Sequence, residues 1–543
     1  MSVFVVPASG REGTAARGIT PRQLWGSLAA YVALISVLAI RHEMWRDEVR
    51  AFSVATRTAS WGQLVAELHH EGHPILWYAI LRIGYAATHS HLVLPVAALV
   101  IATVTAYLIL RFAPFPVWLR MLAVFGAFLG YELSVVARNY GIGVLLMIVA
   151  CIVFPLRRQR PLMLGMVLAL MANTSVHAAF GALVFVFIWL SDLLDREQGR
   201  LEWRGVMAIA LSLSGAGLAL WSARPTPDMA WAFWPGQLSA GGIVRTILTD
   251  PGWALSGVTG ANVAAAGELP WRLLHIDRDL ASRVIVDICL LSVAWSLRRN
   301  RACLAAMIVT ILGFEVLFRH VYSGGLRHEG MIAFLLFSIC WIAVAGNPGR
   351  STAGDSRRMA FGLLPLFVVQ SAALPVMAHR YFTKPVSGSK AYGEFIEANP
   401  RFRDAILASE PDYLMESMPY YVPNRVYMPR QGEFHYRVYF DRGQRRQQDL
   451  TLGRLIDVAD SVACANGQPV LLALGNTEMP WKPQGEAHPA YPGTVFRWTA
   501  AERERLRQRG VRVASFPRAT SDEFYDIVEI APTVLAGSRC RGK

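Results

Sequence analysis

Long apolar segments separated by short polar turns dominate the first 380 residues of the chain. A stretch of about 20 apolar residues is long enough to cross the hydrocarbon core of a bilayer as an α-helix. Eleven segments are candidates for such helices: 24–42, 92–111, 117–132, 138–155, 161–176, 178–194, 205–222, 283–297, 302–318, 329–346 and 359–378. The pattern therefore predicts an all-α polytopic membrane domain with about eleven transmembrane helices.

One further apolar stretch, 74–88, is short and is interrupted by Arg82. It could cross the membrane or lie along its surface. If it does not cross, the arginine-rich turns fall on the same side as the N-terminus; if it crosses, they all fall on the other side. These turns lie at 111–120, 157–160, 196–204, 298–301 and 350–358. Because positively charged turns are retained in the cytoplasm, we predict that 74–88 is a juxtamembrane helix.

This topology divides the chain into three parts. We predict a cytoplasmic N-terminus (1–23), a membrane domain (24–379) with extracytoplasmic loops at 43–91 and 223–282, and an extracytoplasmic tail (380–543). In the tail the apolar runs shorten to the length of strands, and helical stretches lie between them. The strand-like runs are 405–408, 470–474, 511–515 and 525–530, and the helical stretches are 450–463 and 499–509. The tail is therefore predicted to form one soluble α/β domain.

Composition supports a membrane protein and argues against nucleic-acid binding. Of the 543 residues, 54% are hydrophobic and 17% are charged, whereas soluble chains average about 25% charged residues. The net charge of +14 comes almost entirely from arginine, much of it in the short turns between apolar runs, which is a topology signal and not a basic binding surface. Cys464 and Cys540 in the tail could form a disulfide if the tail is extracytoplasmic.

Two adjacent carboxylates, Asp47 and Glu48, follow the first apolar segment at its extracytoplasmic end. Charges are costly near a bilayer and are usually kept there for a function, although acidic residues also stabilise the start of a helix. The predicted topology brings further polar groups to the same edge: His73, Glu132, Arg138, Asn139, Tyr140, Arg319, His320, Tyr322, Arg327, His328 and Glu329. Such a set predicts a site lined by several helices, in which a carboxylate accepts a proton and cations neutralise a departing phosphate.

Structural alternatives remain open for several of these residues. Arg138 and Arg327 could extend toward lipid headgroups, and His73 could be a turn residue before Pro74. A divalent metal ion is a possible cofactor, since two histidines four residues apart with a glutamate between them can supply ligands. The candidate metal ligands are His69, Glu71, His73 and Glu132. No other cofactor is indicated.

The order of these motifs resembles that of the GT-C glycosyltransferases, in particular the aminoarabinose transferases of lipid A and the protein O-mannosyltransferases (glycosyltransferase family 39 type). The resemblance is carried by the acidic pair 47–48, the His-Pro dipeptide 73–74, the Arg-x-Tyr motif 138–140 and the α/β tail. It implies that Asp47 is the general base and that Glu48 supports it. By the same resemblance the donor phosphate is bound by His73, Arg138, Tyr140, Arg327 and His328.

Two positions depart from the family pattern. Ile75 stands where the family often has a second proline, and Glu132 is the only acidic residue near the Arg-x-Tyr motif, where many members have an aspartate. The second acidic role, and any metal ion it would share, therefore stays open.

The resemblance implies a specific reaction. A sugar would be transferred with inversion from a polyprenyl-phosphate donor to an extracytoplasmic acceptor (a cell-envelope lipid, a polysaccharide or a protein), by an enzyme of the bacterial cytoplasmic membrane. The tail would bind the acceptor or stabilise the enzyme. A transporter or flippase is an alternative, but transporters often show internal repeats and charges at the midplane, whereas here the charges gather at one edge. A non-catalytic partner in glycan assembly is a third hypothesis.

Overall fold

The computed structural model describes residues 19–193, 202–224, 240–249, 278–320, 324–346, 352–439, 450–475, 484–487, 495–516 and 518–532. Up to residue 383 the described chain is helical, and from residue 389 onward helices and strands are mixed. The protein thus consists of a polytopic helical domain followed by a C-terminal α/β domain. Most of the predicted N-terminal segment 1–23 and most of the predicted loop 223–282 lie outside the described residues.

The helical domain is built mainly from long apolar helices. As far as the chain is described, these helices are α1 (Pro21–Arg41), α2 (Arg46–Arg57), α3 (Trp61–Leu68), α4 (Leu76–Thr88), α5 (Val93–Phe112), α6 (Val117–Val124), α7 (Tyr140–Val153), α8 (Pro161–Ala172), α9 (Val176–Leu193), α10 (Trp203–Ser222), α11 (Ala240–Thr249), α12 (Arg278–Leu297), α13 (Arg301–His320), α14 (Leu326–Ala345) and α15 (Ala353–Thr383).

Ten of the eleven predicted membrane segments coincide with one of these helices. Within the described ranges, six helices are long and apolar enough to cross a membrane, namely α1, α5, α10, α13, α14 and α15. Four further segments correspond to shorter apolar helices, α7, α8, α9 and the C-terminal part of α12. The helix α14 is the most enclosed, because its neighbours bury it on nearly every side.

The eleventh segment, 117–132, was predicted as one helix and is not continuous. The helix α6 ends at Val124, and a single π-helical turn, Phe128–Glu132, follows it. At Gly130 an added β-carbon would lie 2.8 Å from the side chain of Leu374 in α15. Close packing against α15 therefore shapes this segment, and π-turns of this kind often occur near functional sites.

Hydrogen bonds between turns define two edges of the helical domain. At the first edge, which we call the site edge, the Leu76 N–H donates to the Asn173 carbonyl at 3.0 Å. The Asn139 side chain donates to the Thr174 carbonyl at 2.7 Å, and the His69 ring contacts the Arg224 carbonyl at 2.9 Å. These contacts join the segment between α3 and α4, and the turn that precedes α7, to the turns that follow α8 and α10.

At the opposite edge, two arginines bind main-chain carbonyls close to the end of a neighbouring helix. Arg120 donates to the Leu110 carbonyl at 2.8 Å, and Arg358 donates to the Ser296 carbonyl at 3.0 Å. Arg120 and Arg358, from two of the arginine-rich segments, thus lie at the edge opposite the acidic pair.

The helix α4 stays at the site edge, in agreement with its prediction as a juxtamembrane helix. Its 13 residues span about 20 Å, which is shorter than a hydrocarbon core of about 30 Å. Its first N–H binds Asn173 at the site edge, and just beyond its other end His91 packs against Tyr420 of the C-terminal domain, with ring centroids 4.8 Å apart. The helices α2, α3 and α4 share a small apolar core there that includes Trp77 and Leu81.

The C-terminal domain contains a four-stranded mixed sheet in the order β1-β5-β9-β8. The strand β5 pairs in parallel with β1 and antiparallel with β9. Its side chains alternate between two apolar clusters, with Leu471 on one face and Leu472 on the other. The described strands are β1 (Ile406–Glu410), β2 (Tyr427–Met428), β3 (Glu433–Phe434), β4 (Leu450–Thr451), β5 (Val470–Gly475), β6 (Gly485–Ala487), β7 (Phe496–Trp498), β8 (Val511–Phe516) and β9 (Tyr525–Ile530), and the described helices are α16 (Ser389–Ala398), α17 (Met418–Tyr421), α18 (Leu452–Asn466) and α19 (Ala500–Arg509).

The four strands and two helices predicted for the tail are confirmed as β1, β5, β8, β9, α18 and α19. Cys464, at the end of α18, is disulfide-bonded. Cys540, its predicted partner, lies outside the described residues.

Candidate active site

The acidic pair lies in the first turn of α2. Glu48 is fully buried and accepts a hydrogen bond from the Ala137 N–H at 2.6 Å and a longer one from the Trp45 N–H at 3.4 Å. It also contacts the His42 Nε2 atom at 2.8 Å. Its carboxylate therefore joins the end of α1, the start of α2 and the segment that leads into α7.

These contacts suit Glu48 to brace the start of α2, and its role in support of Asp47 stays a prediction. Its side chain has no exposed surface and contacts groups of three neighbouring segments. The structural alternative for the acidic pair was that it stabilises the start of a helix. Glu48 matches this alternative, because its carboxylate accepts a hydrogen bond from the Trp45 N–H at the start of α2.

Asp47, the neighbouring carboxylate, is about one-third exposed. Its Oδ2 atom accepts a hydrogen bond from Arg327 Nη2 at 3.2 Å, and Arg138 donates to its main-chain carbonyl. The other carboxylate oxygen makes no hydrogen bond within the described residues. Burial opposes ionisation of Asp47, but the positive charges of Arg327 and Arg138 outweigh burial and hold the pKa of Asp47 below its ordinary value. Asp47 is therefore an ionised acceptor that solvent can reach.

His73 lies beside Arg138 at the same edge. Arg138 Nη2 donates to His73 Nε2 at 3.2 Å, and because arginine only donates, His73 accepts through Nε2 and carries its proton on Nδ1. Burial and the neighbouring Arg138 charge lower the pKa of His73 to about 3. His73 is thus neutral at physiological pH and holds the Arg138 guanidinium in place.

Tyr140 and His328 extend this network into the helical domain. The Tyr140 hydroxyl and His328 Nε2 are 2.7 Å apart, and the Gly325 N–H donates to His328 Nδ1 at 2.7 Å. Since Nδ1 accepts, a neutral His328 carries its proton on Nε2 and donates it to Tyr140. The hydroxyl proton of Tyr140 is then directed at a different acceptor.

The structure brings together six predicted site residues from three distant parts of the chain, namely Asp47, His73, Arg138, Tyr140, Arg327 and His328. Asp47 pairs with Arg327, which begins α14, and Arg138 bridges Asp47 and His73. Arg327 also lies over the Trp45 ring, at 5.3 Å from its centroid. Its Nη1 atom is buried without a hydrogen-bond partner in the described part of the chain. A buried guanidinium nitrogen in this state is suited to donate to a bound anion.

His177 belongs to the same cluster and was not singled out from the sequence. It is the second residue of α9, and its ring stacks on His328 with centroids 4.7 Å apart and on Phe314 at 5.8 Å. It is buried, and neither ring nitrogen has a hydrogen-bond partner among the described residues. His177 lies between the predicted spans 161–176 and 178–194. The predicted topology places the turn between these spans at the site edge, and this placement was the signal that could have identified His177.

The four candidate metal ligands are not brought together. His69 contacts the Arg224 carbonyl, His73 contacts Arg138, and Glu71 is paired with Arg50 and Arg437. Glu132 ends the π-helical turn beside Tyr131. Within the ranges that the structure describes, no group of three or more His, Cys, Asp or Glu residues is arranged to hold a metal ion. The described residues therefore do not fit a metal centre here.

Arg46 and Arg50, both in α2, were also missed by sequence reasoning. They lie four residues apart and face the C-terminal domain, where Arg46 pairs with Asp522 and Arg50 pairs with Glu416. Their partners are several hundred positions away in the sequence, so no local pattern marks them.

The chain was compared with known proteins and solved structures. No family model matches it, and no curated protein matches it. Among solved structures it is similar to ArnT from Cupriavidus metallidurans, a crystal structure with bound undecaprenyl phosphate, at 12% identity and a TM-score of 0.45. The match covers 93% of this chain and 98% of that one.

Proposed function

We propose that the protein is a GT-C-type membrane glycosyltransferase. It transfers a sugar from a polyprenyl-phosphate donor to an acceptor at the outer face of the bacterial cytoplasmic membrane, and Asp47 is the general base. The observation that carries this proposal is the ionised, partly exposed Asp47 carboxylate next to two arginines at one edge of the helical domain. The arginine-rich turns at the opposite edge favour a cytoplasmic location for that edge.

The arrangement suits displacement at an anomeric carbon. The acceptor's hydroxyl or amine forms a bond to the anomeric carbon, while the bond from that carbon to the phosphate oxygen breaks. The proton of the acceptor passes to Asp47, and the electron pair leaves with the polyprenyl phosphate. Arg327 and Arg138 stabilise the negative charge that develops on the leaving group. Displacement from the face opposite the phosphate inverts the configuration.

Each remaining site residue has a part in this mechanism. His73 stays neutral, so it orients Arg138 without adding a third positive charge that would weaken Asp47 as a base. Tyr140 and His328 lie further into the helical domain than the two arginines. They provide polar contacts there for the hydroxyl or phosphate oxygens of the donor. Glu48 keeps the start of α2 in register with the segment before α7.

The test is the variant Asp47→Asn, which keeps the size of the side chain and removes its basicity. The purified protein is reconstituted in liposomes with a panel of undecaprenyl-phosphate sugars and bacterial envelope extract as the acceptor source. Positioned acid–base groups contribute about 10²- to 10⁴-fold, so we expect transfer to fall by at least about 100-fold. The matched control Asp526→Asn, which removes an aspartate that pairs with the exposed Arg512, should transfer at the wild-type rate.

Binding separates this proposal from its alternatives. Asp47→Asn should bind undecaprenyl phosphate at least as tightly as wild type, because the negative charge of Asp47 neutralises part of the Arg327 charge with which a phosphate would pair. Transfer by Asp47→Asn at the wild-type rate would refute the catalytic role. Movement of the lipid across the bilayer by the wild type, without any transfer, would indicate a flippase.

A further inference from the structure

The C-terminal domain contacts the helix that carries Asp47 at two points one helical turn apart. The Arg46 main-chain N–H donates to Glu523 Oε1 at 2.7 Å, and the Arg46 guanidinium pairs with Asp522. Arg50 Nη1 donates to Glu416 Oε1 at 2.6 Å. Because residues four apart share one face of a helix, α2 presents this face to the C-terminal domain.

The first of these contacts is a helix cap supplied by the other domain. The first N–H groups of a helix have no partner within the helix, and a Ser, Thr, Asp or Asn at the N-cap position usually binds one of them. The N-cap residue of α2 is Trp45, which has no side-chain acceptor and makes no side-chain cap bond. The carboxylate of Glu523 takes this place, from 477 positions away in the sequence.

Glu523 is itself held firmly. It is fully buried, and its Oε2 atom accepts hydrogen bonds from Ser387 and from Ser389, the latter at 3.1 Å. Its main-chain carbonyl accepts from the Gly388 N–H at 2.7 Å. Ser389 also contacts the Tyr525 hydroxyl at 3.1 Å. The position of the cap is therefore set by the segment between α15 and α16 and by β9.

We propose that Glu523 is a positioning residue for Asp47: by capping α2 from the C-terminal domain, it fixes the carboxylate of Asp47 against Arg327. This inference rests on the proposed role of Asp47 as the base. The capped N–H belongs to Arg46, the residue directly before Asp47, so a shift of the helix start is passed to Asp47 through one peptide unit. A misplacement of about 1 Å at a reacting group can reduce a rate by about 100-fold.

The chemistry of the cap predicts which substitutions preserve it. Burial raises the pKa of Glu523 to about 7, against the opposing effect of the Arg46 charge. Near neutral pH the bond to Arg46 thus depends mainly on a fixed oxygen acceptor, which glutamine also supplies. Glu523→Gln should keep the cap, and Glu523→Ala should remove it.

The experiment measures hydrogen–deuterium exchange of the full-length protein in nanodiscs, for peptides that cover α2. We expect about fivefold faster exchange at the start of α2 in Glu523→Ala, the factor that corresponds to an ordinary helix cap, and an effect of less than twofold in Glu523→Gln. The control is Glu529→Ala, which removes a carboxylate of β9, the strand that follows Glu523; Glu529 pairs with the exposed Arg401, and its removal should leave α2 unchanged. If Glu523→Ala fails to fold, Asp522→Ala removes only the side-chain partner of Arg46 and should give a smaller change in the same peptides.

Kinetics distinguish positioning from general stabilisation. With the donor that supports transfer by the wild type, Glu523→Ala should lower kcat at least tenfold and change the donor KM by less than twofold, and Glu523→Gln should recover most of kcat.

Unchanged α2 exchange in both Glu523→Ala and Asp522→Ala would overturn the inference, as would faster exchange spread evenly over the C-terminal domain. If these variants behave as wild type while Asp47→Asn is inactive, only the positioning role fails. If α2 loosens in Glu523→Ala but Asp47→Asn transfers normally, the proposed function fails on the identity of the base, and the positioning of a base fails with it.

Discussion

The substitution Arg327→Gln tests the anion-binding part of the site. Arg327 uses Nη2 to hold Asp47 at 3.2 Å, and its Nη1 is buried without a hydrogen-bond partner among the described residues. A bound phosphate would accept from Nη1. Glutamine lacks the charge, so the variant should bind undecaprenyl phosphate more weakly.

The size of the effect follows from the number of donors. One charge-assisted hydrogen bond contributes about 1.5–3 kcal/mol, which corresponds to about 10- to 150-fold in Kd. Removing Arg327 also removes the positive charge that lowers the pKa of Asp47 most, so this pKa should rise. An ionised base is lost at low pH, and the acid limb of the pH–rate profile should therefore move to higher pH.

The assay is equilibrium binding of radiolabelled undecaprenyl phosphate to the protein in nanodiscs of neutral lipid. The matched control is Arg41→Gln, which removes an exposed arginine that ends α1 at the same edge and lies over the Phe382 ring. Because the negative charge of Asp47 neutralises part of the Arg327 charge, Asp47→Asn should strengthen binding in the wild-type background and have little effect in Arg327→Gln. Binding by Arg327→Gln within twofold of wild type, or an equal loss in Arg41→Gln, would refute the reasoning.

Two further predictions concern stability. Glu523 has an ordinary pKa near 4.5 and a folded-state pKa of about 7, so the folded protein holds this proton more tightly than the unfolded chain does. The corresponding contribution to the free energy of unfolding is about 3 kcal/mol at most. It is present below pH 4.5 and is lost as pH rises through 7. The groups that face Glu523 are Arg46, Asp522, Tyr421 and Tyr525. Between pH 4.5 and 7, the thermal unfolding midpoint should depend less on pH in Glu523→Gln than in wild type. The same pH dependence in both proteins would contradict the raised pKa of Glu523. At Gly165 in α8 an added β-carbon would lie 2.5 Å from the Ala208 carbonyl oxygen of α10, whereas at Gly217 in α10 nothing lies within 4 Å. Gly165→Ala should thus destabilise the protein by about 1–3 kcal/mol and Gly217→Ala should not, as measured by thermal unfolding in detergent; equal midpoints for the two variants would contradict this packing.

The elements with a local or periodic signature could be predicted from the sequence. The apolar runs marked the long helices, and the arginine-rich turns identified α4 as a helix that stays at one edge. Strand-length runs in the tail marked β1, β5, β8 and β9. The break in 117–132 was not predicted, because it depends on how Gly126 and Gly130 pack against α15 and not on the composition of the segment.

The partners of individual site residues could be predicted only in part. The shared edge of Asp47, His73, Arg138 and Arg327 followed from topology, which counts crossings and needs no contact information. Topology did not distinguish Asp47 from Glu48, because both carboxylates lie in the same helical turn and differ in burial; their separate roles came from the resemblance and stay a prediction. His177 was hidden by its place between two apolar runs, and Glu523 by its distance along the chain.

The arginines of α2 and α14 are matched to carboxylates in different ways, and this difference bears on what the site can bind. Arg46 and Arg50 are paired with Asp522 and Glu416 of the C-terminal domain, so their charges are balanced within the protein. Arg327 forms a salt bridge with Asp47, also acts electrostatically on the buried Glu132, and keeps one buried nitrogen without a hydrogen-bond partner in the described part of the chain. A buried charge is stable only when it is paired and hydrogen-bonded, and a phosphate oxygen would complete the pairing of Arg327. The same domain contact that balances Arg46 also caps α2 through Glu523, so the protein can keep its base fixed while leaving an arginine donor for the donor phosphate.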